Sequence, residues 1–251
     1  MFKAGINIVV AILVMISPES ACQQNRRAFD NDNRRLSDLY LEKTGSHREY
    51  IDGRDYFPYY FRSGTTTLLR PEEGRTASLT INGRTYEGLT LQYDTFADEL
   101  IYTDDSLIYN NRVRQVSFDK YRVSSFDLFF RHDTLHFRYF SVNNDTAFNL
   151  PEGFYEVAYY SMAKYLVRHA SSEVVSMNKV ESYIYKPVNY ICVDDGFRGI
   201  ESRKQFISLF GSNSEEINRF LRQKHIRIRK AGKKQITDVL KYYESLHSGA
   251  N

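Results

Sequence analysis

From Ser78 to Val193 the apolar residues of this chain recur at every second position, in short runs separated by turn residues. That period fits pleated strands with one buried face and does not fit a helix. Leu79 and Ile81 lead into Asn82-Gly83, and Leu89, Leu91 and Tyr93 follow. Asn-Gly between two alternating runs marks a tight hairpin, because both residues tolerate positive φ. Further strands are expected at residues 100–102, 107–109, 113–118, 126–130, 135–140, 153–160, 164–169, 183–186 and 190–193. The breaks fall at Asp104-Asp105-Ser106, Asn110-Asn111 and His132-Asp133. Connections this short make sequence neighbours into spatial neighbours, so an antiparallel meander is expected. About eight to ten such strands must curl into a curved sheet or incomplete barrel, since a flat sheet would leave its edges and one apolar face open.

Composition points the same way. The chain has 20 Tyr and 17 Phe but no Trp, and large rings at this density pack best across neighbouring strands. Near residue 202 the period becomes helical. Ser202 and Gln205 form a capping-box pair ahead of Phe206, Ile207, Leu209 and Phe210, and Gly211 ends that turn. Ser212 and Glu215 repeat the device before Ile217, Phe220 and Leu221, and a last helix carries Ile236, Val239, Leu240 and Tyr243 on one face. Three short amphipathic helices over 202–248 should therefore dock on the sheet or cover the mouth of a barrel, giving a mainly β chain with a helical end.

The stretch from Gly88-Leu89 through Tyr93-Asp94, the run Asp98-Glu99-Leu100, the strand from Gly153 to Val157 and the tail from Ser202 to Tyr243 together resemble a family of exported cell-envelope proteins of Bacteroidota. The resemblance covers roughly residues 75 to 245. It implies an envelope location and adds no chemistry, because the family carries no assigned activity.

The N-terminus is consistent with that location. Lys3, an apolar run from Ala4 to Ile16 and the small-residue end Ser20-Ala21-Cys22 read as a signal peptide over 1–22. The run is shorter than the roughly 20 residues a membrane span needs. Two processing routes fit. Cys22 accepts lipid as a lipoprotein's first residue, with Glu19 standing where an apolar residue is usual, or a signal peptidase cuts near Ala21 or Cys22. An uncleaved anchor is the third route. The first two deliver a periplasmic or outer-membrane-associated protein, or a secreted one. Residues 23–74 read as a polar tether and irregular segment, with too little apolar surface to offset the entropy of ordering, and residues 75–251 as one β-rich domain.

Charge is uneven. The net is +3, yet residues 202–251 hold 11 Lys and Arg against 4 Asp and Glu. The excess lies in Arg219, Arg222, Lys224, Arg227, Arg229, Lys230, Lys233 and Lys234. Export and the lack of interleaved aromatics argue against nucleic acid. Anionic lipid head groups or an acidic partner fit such a stripe, as does a plain solvated helix face.

Other candidates carry less. His132 and His136 flank an expected hairpin without a third ligand. Asp30-Asn31-Asp32-Asn33 starts like a calcium loop but has Arg35 and Leu41 where Gly and Glu are needed. The pairs Asp98-Glu99, Asp104-Asp105 and Asp194-Asp195 would point to opposite strand faces and suit turns better. Asp94 and Asp98 are expected to hold one such turn by side-chain to backbone bonds. Cys192, within an alternating run, reads as a small buried hydrophobe. No hydrolase elbow, zinc-protease, phosphate-loop or dinucleotide motif occurs, and no cofactor or metal is expected. The expectation is a non-enzymatic exported envelope protein that binds a protein partner or an apolar, lipid-like ligand through its curved aromatic sheet. A hydrolase of envelope polysaccharide or peptide, built from carboxylates converging in space, is the competing reading.

Overall fold

The computed structural model describes residues 53–59, 65–71, 76–109, 112–141, 150–177, 179–194 and 196–248, all within one compact unit spanning Glu49–Asn251. The signal segment, Cys22, the stretch Asp30–Asn33 and the Asn110-Asn111 break lie outside the described residues. The fold is mainly β, a large antiparallel sheet not closed into a barrel, with three helices near the C-terminus.

The strands are β1 (Arg54–Asp55), β2 (Thr76–Ile81), β3 (Arg84–Asp94), β4 (Glu99–Tyr109), β5 (Arg112–Ser117), β6 (Val123–Phe130), β7 (Asp133–Phe140), β8 (Gly153–Tyr160), β9 (Lys164–Arg168), β10 (Ser171–Ser176), β11 (Lys179–Tyr185), β12 (Val188–Cys192) and β13 (Arg198–Gly199). Eleven of them form one sheet in the order β1-β5-β4-β3-β2-β6-β7-β8-β9-β12-β13, and β10 pairs with β11 alone. The Asn82-Gly83 hairpin forms as its sequence dictates, with φ of 50° and 76° and Ile81 facing Arg84. The break expected at Asp104-Asp105-Ser106 is instead continuous strand. β4 runs through it with a register irregularity between Thr103 and Ile108, because pairing with β5 on both sides outweighs the weak strand preference of Asp and Ser.

Neighbours in this sheet depart from the meander at β1–β5, β2–β6 and β9–β12, and the second of these makes the fold three-dimensional. β6 lies beside β2, not beside β5. In a flat sheet β5 and β6 would stand roughly 19 Å apart, four strand spacings. That is nearly the full reach of the connection, part of which is coiled in a 3₁₀ turn at Lys120–Arg122. The sheet must roll. β3 turns the corner: residues 84–90 pair with β2 and residues 91–94 with β4. Leu100, Tyr102 and Phe118 thereby close over Tyr93, Phe126, Phe137 and Phe154 in a single buried cluster. Phe126 and Phe137 stack at 4.5 Å and 9°, with Tyr93 5.2 Å from Phe137 and Phe154 edge-on to Phe126 at 5.1 Å. The inward rings fill the core they enclose.

The same face of the sheet continues past β8, where the helices α1 (Arg203–Ser208), α2 (Ser214–Gln223) and α3 (Lys233–Ser248) cover it. Phe206, Phe210, Ile217, Leu221, Ile236, Val239, Leu240 and Tyr243 pack on Tyr165, Val167, Ile191 and Val193. Ser202 caps α1 by accepting from the Gln205 N–H at 3.2 Å, and Gln205 accepts in return from the Glu201 N–H. The second capping box does not form. A 3₁₀ turn at Gly211–Asn213 occupies that position, and α2 starts after Asn213 without a side-chain cap. On the opposite face Cys192 is buried with Phe140, Tyr155, Leu166 and Phe197.

The compact unit reaches back beyond residue 75. β1 pairs with β5, and Tyr56 and Thr67 both donate to Asp94 Oδ2, at 2.7 and 2.9 Å. Polar contacts together with the packing of Leu69 on the core and of Tyr59 on Phe96 and Tyr183 hold this segment, so a stretch whose composition resembles a tether is part of the fold. Asp94 is fully buried and also accepts from the Phe96 and Ala97 N–H groups at 2.8 and 3.0 Å, the side-chain bonding its turn requires.

Candidate functional site

The basic stripe is displayed by the way its apolar neighbours are anchored. Ile217 and Leu221 on α2, Ile226 and Ile228 in the connection and Ile236 on α3 are buried in the helix–sheet core, so the residues between them face out. Arg219, Arg222, Lys224, Arg227, Arg229, Lys230 and Lys234 are exposed. The connection is braced by its backbone, with Ile226 N–H donating to Leu221 O at 2.9 Å and Lys230 N–H to Arg227 O at 2.8 Å. No Asp or Glu occurs between Glu216 and Asp238. Among the described residues none of these seven cations forms an ion pair; Lys224 lies over the Phe220 ring at 6.0 Å. Lys234 stands at a helix N-terminus, where the backbone dipole disfavours a cation. The result is a surface of exposed positive charge without ion-pair partners among the described residues.

Lys233 belongs elsewhere. Its ammonium turns inward to Glu156 Oε1 at 2.5 Å and to Asp133 Oδ2 at 3.3 Å, and Arg70 meets the same Asp133 oxygen at 3.3 Å. Glu156 pairs directly with Phe137 on one side and Val167 on the other, so the three side chains share one face. The carboxylate therefore sits at the seam between the aromatic core and the helix-covered core. Its second oxygen is 2.8 Å from His169 Nε2, and His169 Nδ1 is 2.5 Å from the Tyr185 hydroxyl. Burial pushes the Glu156 carboxyl up, but His169 and Lys233 outweigh it and hold it below the ordinary glutamate range. Burial, then the Glu156 charge, push the Tyr185 phenol up to about 12. Protonated Tyr185 thus donates to Nδ1 and the Nε2–H donates to Glu156, a tautomer assigned by the partners.

This is the convergence of a His and a carboxylate that a hydrolase would require, and sequence reasoning missed it. Glu156 and His169 are 13 residues apart on either side of the β8–β9 turn, and no local spacing marks them; the strand register brings them together. Their side chains are only 4% and 8% exposed, both imidazole nitrogens are occupied, and the high phenol pKa opposes a tyrosinate nucleophile. The arrangement ties α3 and the β10–β11 hairpin to the sheet.

The remaining candidates separate. His136 Nδ1 is 2.9 Å from Asp127 Oδ1 on the exposed side of β6 and β7, and among the described residues no three His, Cys, Asp and Glu side chains gather as a metal site. Asp194 is 3.5 Å from the Tyr243 hydroxyl. Asp98 accepts from the Tyr93 hydroxyl at 2.7 Å and the Phe154 N–H at 3.2 Å, while its buried Oδ2 has no hydrogen-bond partner among the described residues and lies 3.7 Å from the Lys120 ammonium. Gly153, at φ 147°, leaves the space for that oxygen, which would lie 2.5 Å from an added Cβ. Burial raises the Asp98 carboxyl above the ordinary aspartate range, against the lowering effects of Tyr93, Phe154 and Lys120. A carboxyl whose folded pKa is raised favours folding most below the ordinary value near 4 and loses that contribution as pH rises through the raised value. Asp98→Asn is therefore expected to gain stability relative to the parent on going from pH 4 to pH 7 in thermal unfolding. An identical difference at both pH values would contradict it.

No family model, no curated protein and no solved structure matches this chain. Among the described residues no helix is long and apolar enough to cross a membrane.

Proposed function

We propose that this is a non-enzymatic exported protein of the cell envelope that docks on an anionic membrane surface through the basic face formed by α2, the turn at residues 224–232 and the start of α3. The observation that carries the proposal is the set of seven exposed cations without a carboxylate partner among the described residues, held on a braced connection. Mutual repulsion of like charges costs stability, and phosphate head groups would neutralise it. The concave-face rings are packed against one another, which favours an external surface over an enclosed apolar ligand as the place of contact. The leader-like N-terminus supports delivery to the envelope, with Cys22 as a lipid anchor adding a second attachment.

Vesicle co-sedimentation tests the docking. The variant Arg227→Gln/Arg229→Gln/Lys230→Gln/Lys234→Gln leaves Lys233 and its buried partners intact. With each basic residue near such a surface worth about 1 kcal/mol, the variant is expected to bind phosphatidylglycerol-containing vesicles at least about tenfold more weakly. Parent binding should fall as salt is raised. Equal binding by parent and variant, or binding indifferent to salt, would refute the proposal.

A further inference from the structure

A cleft of about 480 Å³ opens between β1, the β3–β4 turn and the β5–β6 connection, a volume within the range of small-molecule sites, roughly 300–1,000 Å³. Its wall combines Arg54, Glu99, Ser117, Asp119, Lys120 and the ring of Tyr121. Tyr121 is 68% exposed and borders the cleft. Tyr139 meets the ring edge-on at 6.0 Å, the Lys120 ammonium lies 5.9 Å from its centroid, and the Tyr121 N–H donates to Asp119 Oδ1 at 3.1 Å. The ring thus stands at the cavity edge between a second aromatic and an ammonium, an exposed platform on which a ligand can stack. Across the cleft Glu99 accepts from Ser117 Oγ at 2.7 Å and pairs with Arg54, while Lys120, 31% exposed, pairs with Asp98 Oδ2 at 3.7 Å and keeps further donors for a ligand.

We propose that this cleft is a saccharide-binding site in which one sugar ring stacks on Tyr121 and its hydroxyls bond Arg54, Glu99 and Lys120. The chemistry selects this class. A sugar ring presents C–H groups on its face and hydroxyls around its rim, matching an aromatic platform bordered by charged donors and acceptors. A purely apolar ligand would desolvate the Arg54–Glu99 pair without replacing its hydrogen bonds with water. The site is independent of the basic face and does not rest on the docking proposal.

The test is an array of immobilised oligosaccharides built from neutral hexoses, N-acetylhexosamines and uronic acids, probed with the full chain and followed by calorimetry on the best-retained glycan. Tyr121→Ala is expected to weaken binding more than tenfold and Glu99→Gln about fivefold or more, with unchanged circular dichroism. Tyr121→Phe, which keeps the ring, should stay within about threefold. The quadruple basic-face variant should bind the glycan as the parent does, which separates the two proposals. Retention of no glycan, or binding unaffected by Tyr121→Ala, would overturn the assignment.

Discussion

Replacing Glu156 with alanine is expected to destabilise the folded protein by about 3 kcal/mol, the lower end of the cost of breaking a buried ion pair from one side, because the Lys233 partner is 36% exposed. The carboxylate is 4% exposed and serves His169 and Lys233 at once. Its removal leaves the buried His169 N–H without an acceptor at the seam between two apolar cores, while Lys233 keeps only Asp133, at 3.3 Å. Glu156→Gln should lose much less, because an amide oxygen can still accept from Lys233. The contribution also has a defined pH dependence. A folded pKa held below the glutamate range means stability that is present above the unfolded value, about 4.3, and lost as pH falls through the folded value. The parent should therefore weaken below about pH 4 by more than Glu156→Gln does, the Asp98 contribution of opposite sign being common to both. Denaturant midpoints across pH 3–7 measure both effects. A Glu156→Ala loss under about 1 kcal/mol would show that the seam network is not a structural tie.

Phe137→Ala is the other large effect, expected at about 3–5 kcal/mol. The ring is 2% exposed, stacks on Phe126, and lies 5.2 Å from Tyr93 and 5.4 Å from His169. Truncation opens a cavity in a region where two sheet segments have been rolled together, and neighbouring rings cannot all collapse into it. Because the ring also borders His169, the loss should exceed that of Phe206→Ala in the helix-covered core, although both side chains are buried. Phe137→Leu, which keeps most of the volume, should cost well under half as much. Equilibrium urea unfolding reads these differences directly, and equal losses for Phe137→Ala and Phe206→Ala would remove the claimed link between the aromatic core and the seam.

Several features were legible because their causes are local. The Asn82-Gly83 turn follows from the φ tolerance of two residues, the Ser202–Gln205 cap from a reciprocal side-chain bond within four residues, and the strand faces from a period of two. The Asp94 turn was legible for the same reason. The second capping box failed, although its residues suit it, because a competing 3₁₀ turn takes the backbone groups that Ser212 would have capped. The break at Asp104 failed because the pairing of β4 with β5 is a property of two strands, not of one.

The basic face lies between these cases. Its residues could be read from charge alone, but whether the charges were neutralised, and which of them faced out, depended on where Ile226, Ile228 and Ile236 anchor the chain. Lys233 shows the difference: in sequence it is one cation among eight, and in the fold it is the partner of a buried carboxylate 77 positions away.

By itself, then, the amino-acid sequence determined the strand-rich body, its hairpin signals, the helical end and the concentration of positive charge, since each arises from neighbours within a few residues. The tertiary structure alone decided the roll of the sheet at β3, the meeting of Glu156, His169, Tyr185 and Lys233, and the cleft beside Tyr121. Those depend on register and on contacts between residues up to 100 positions apart, and the free energy of such contacts exists only when the whole chain has closed on itself.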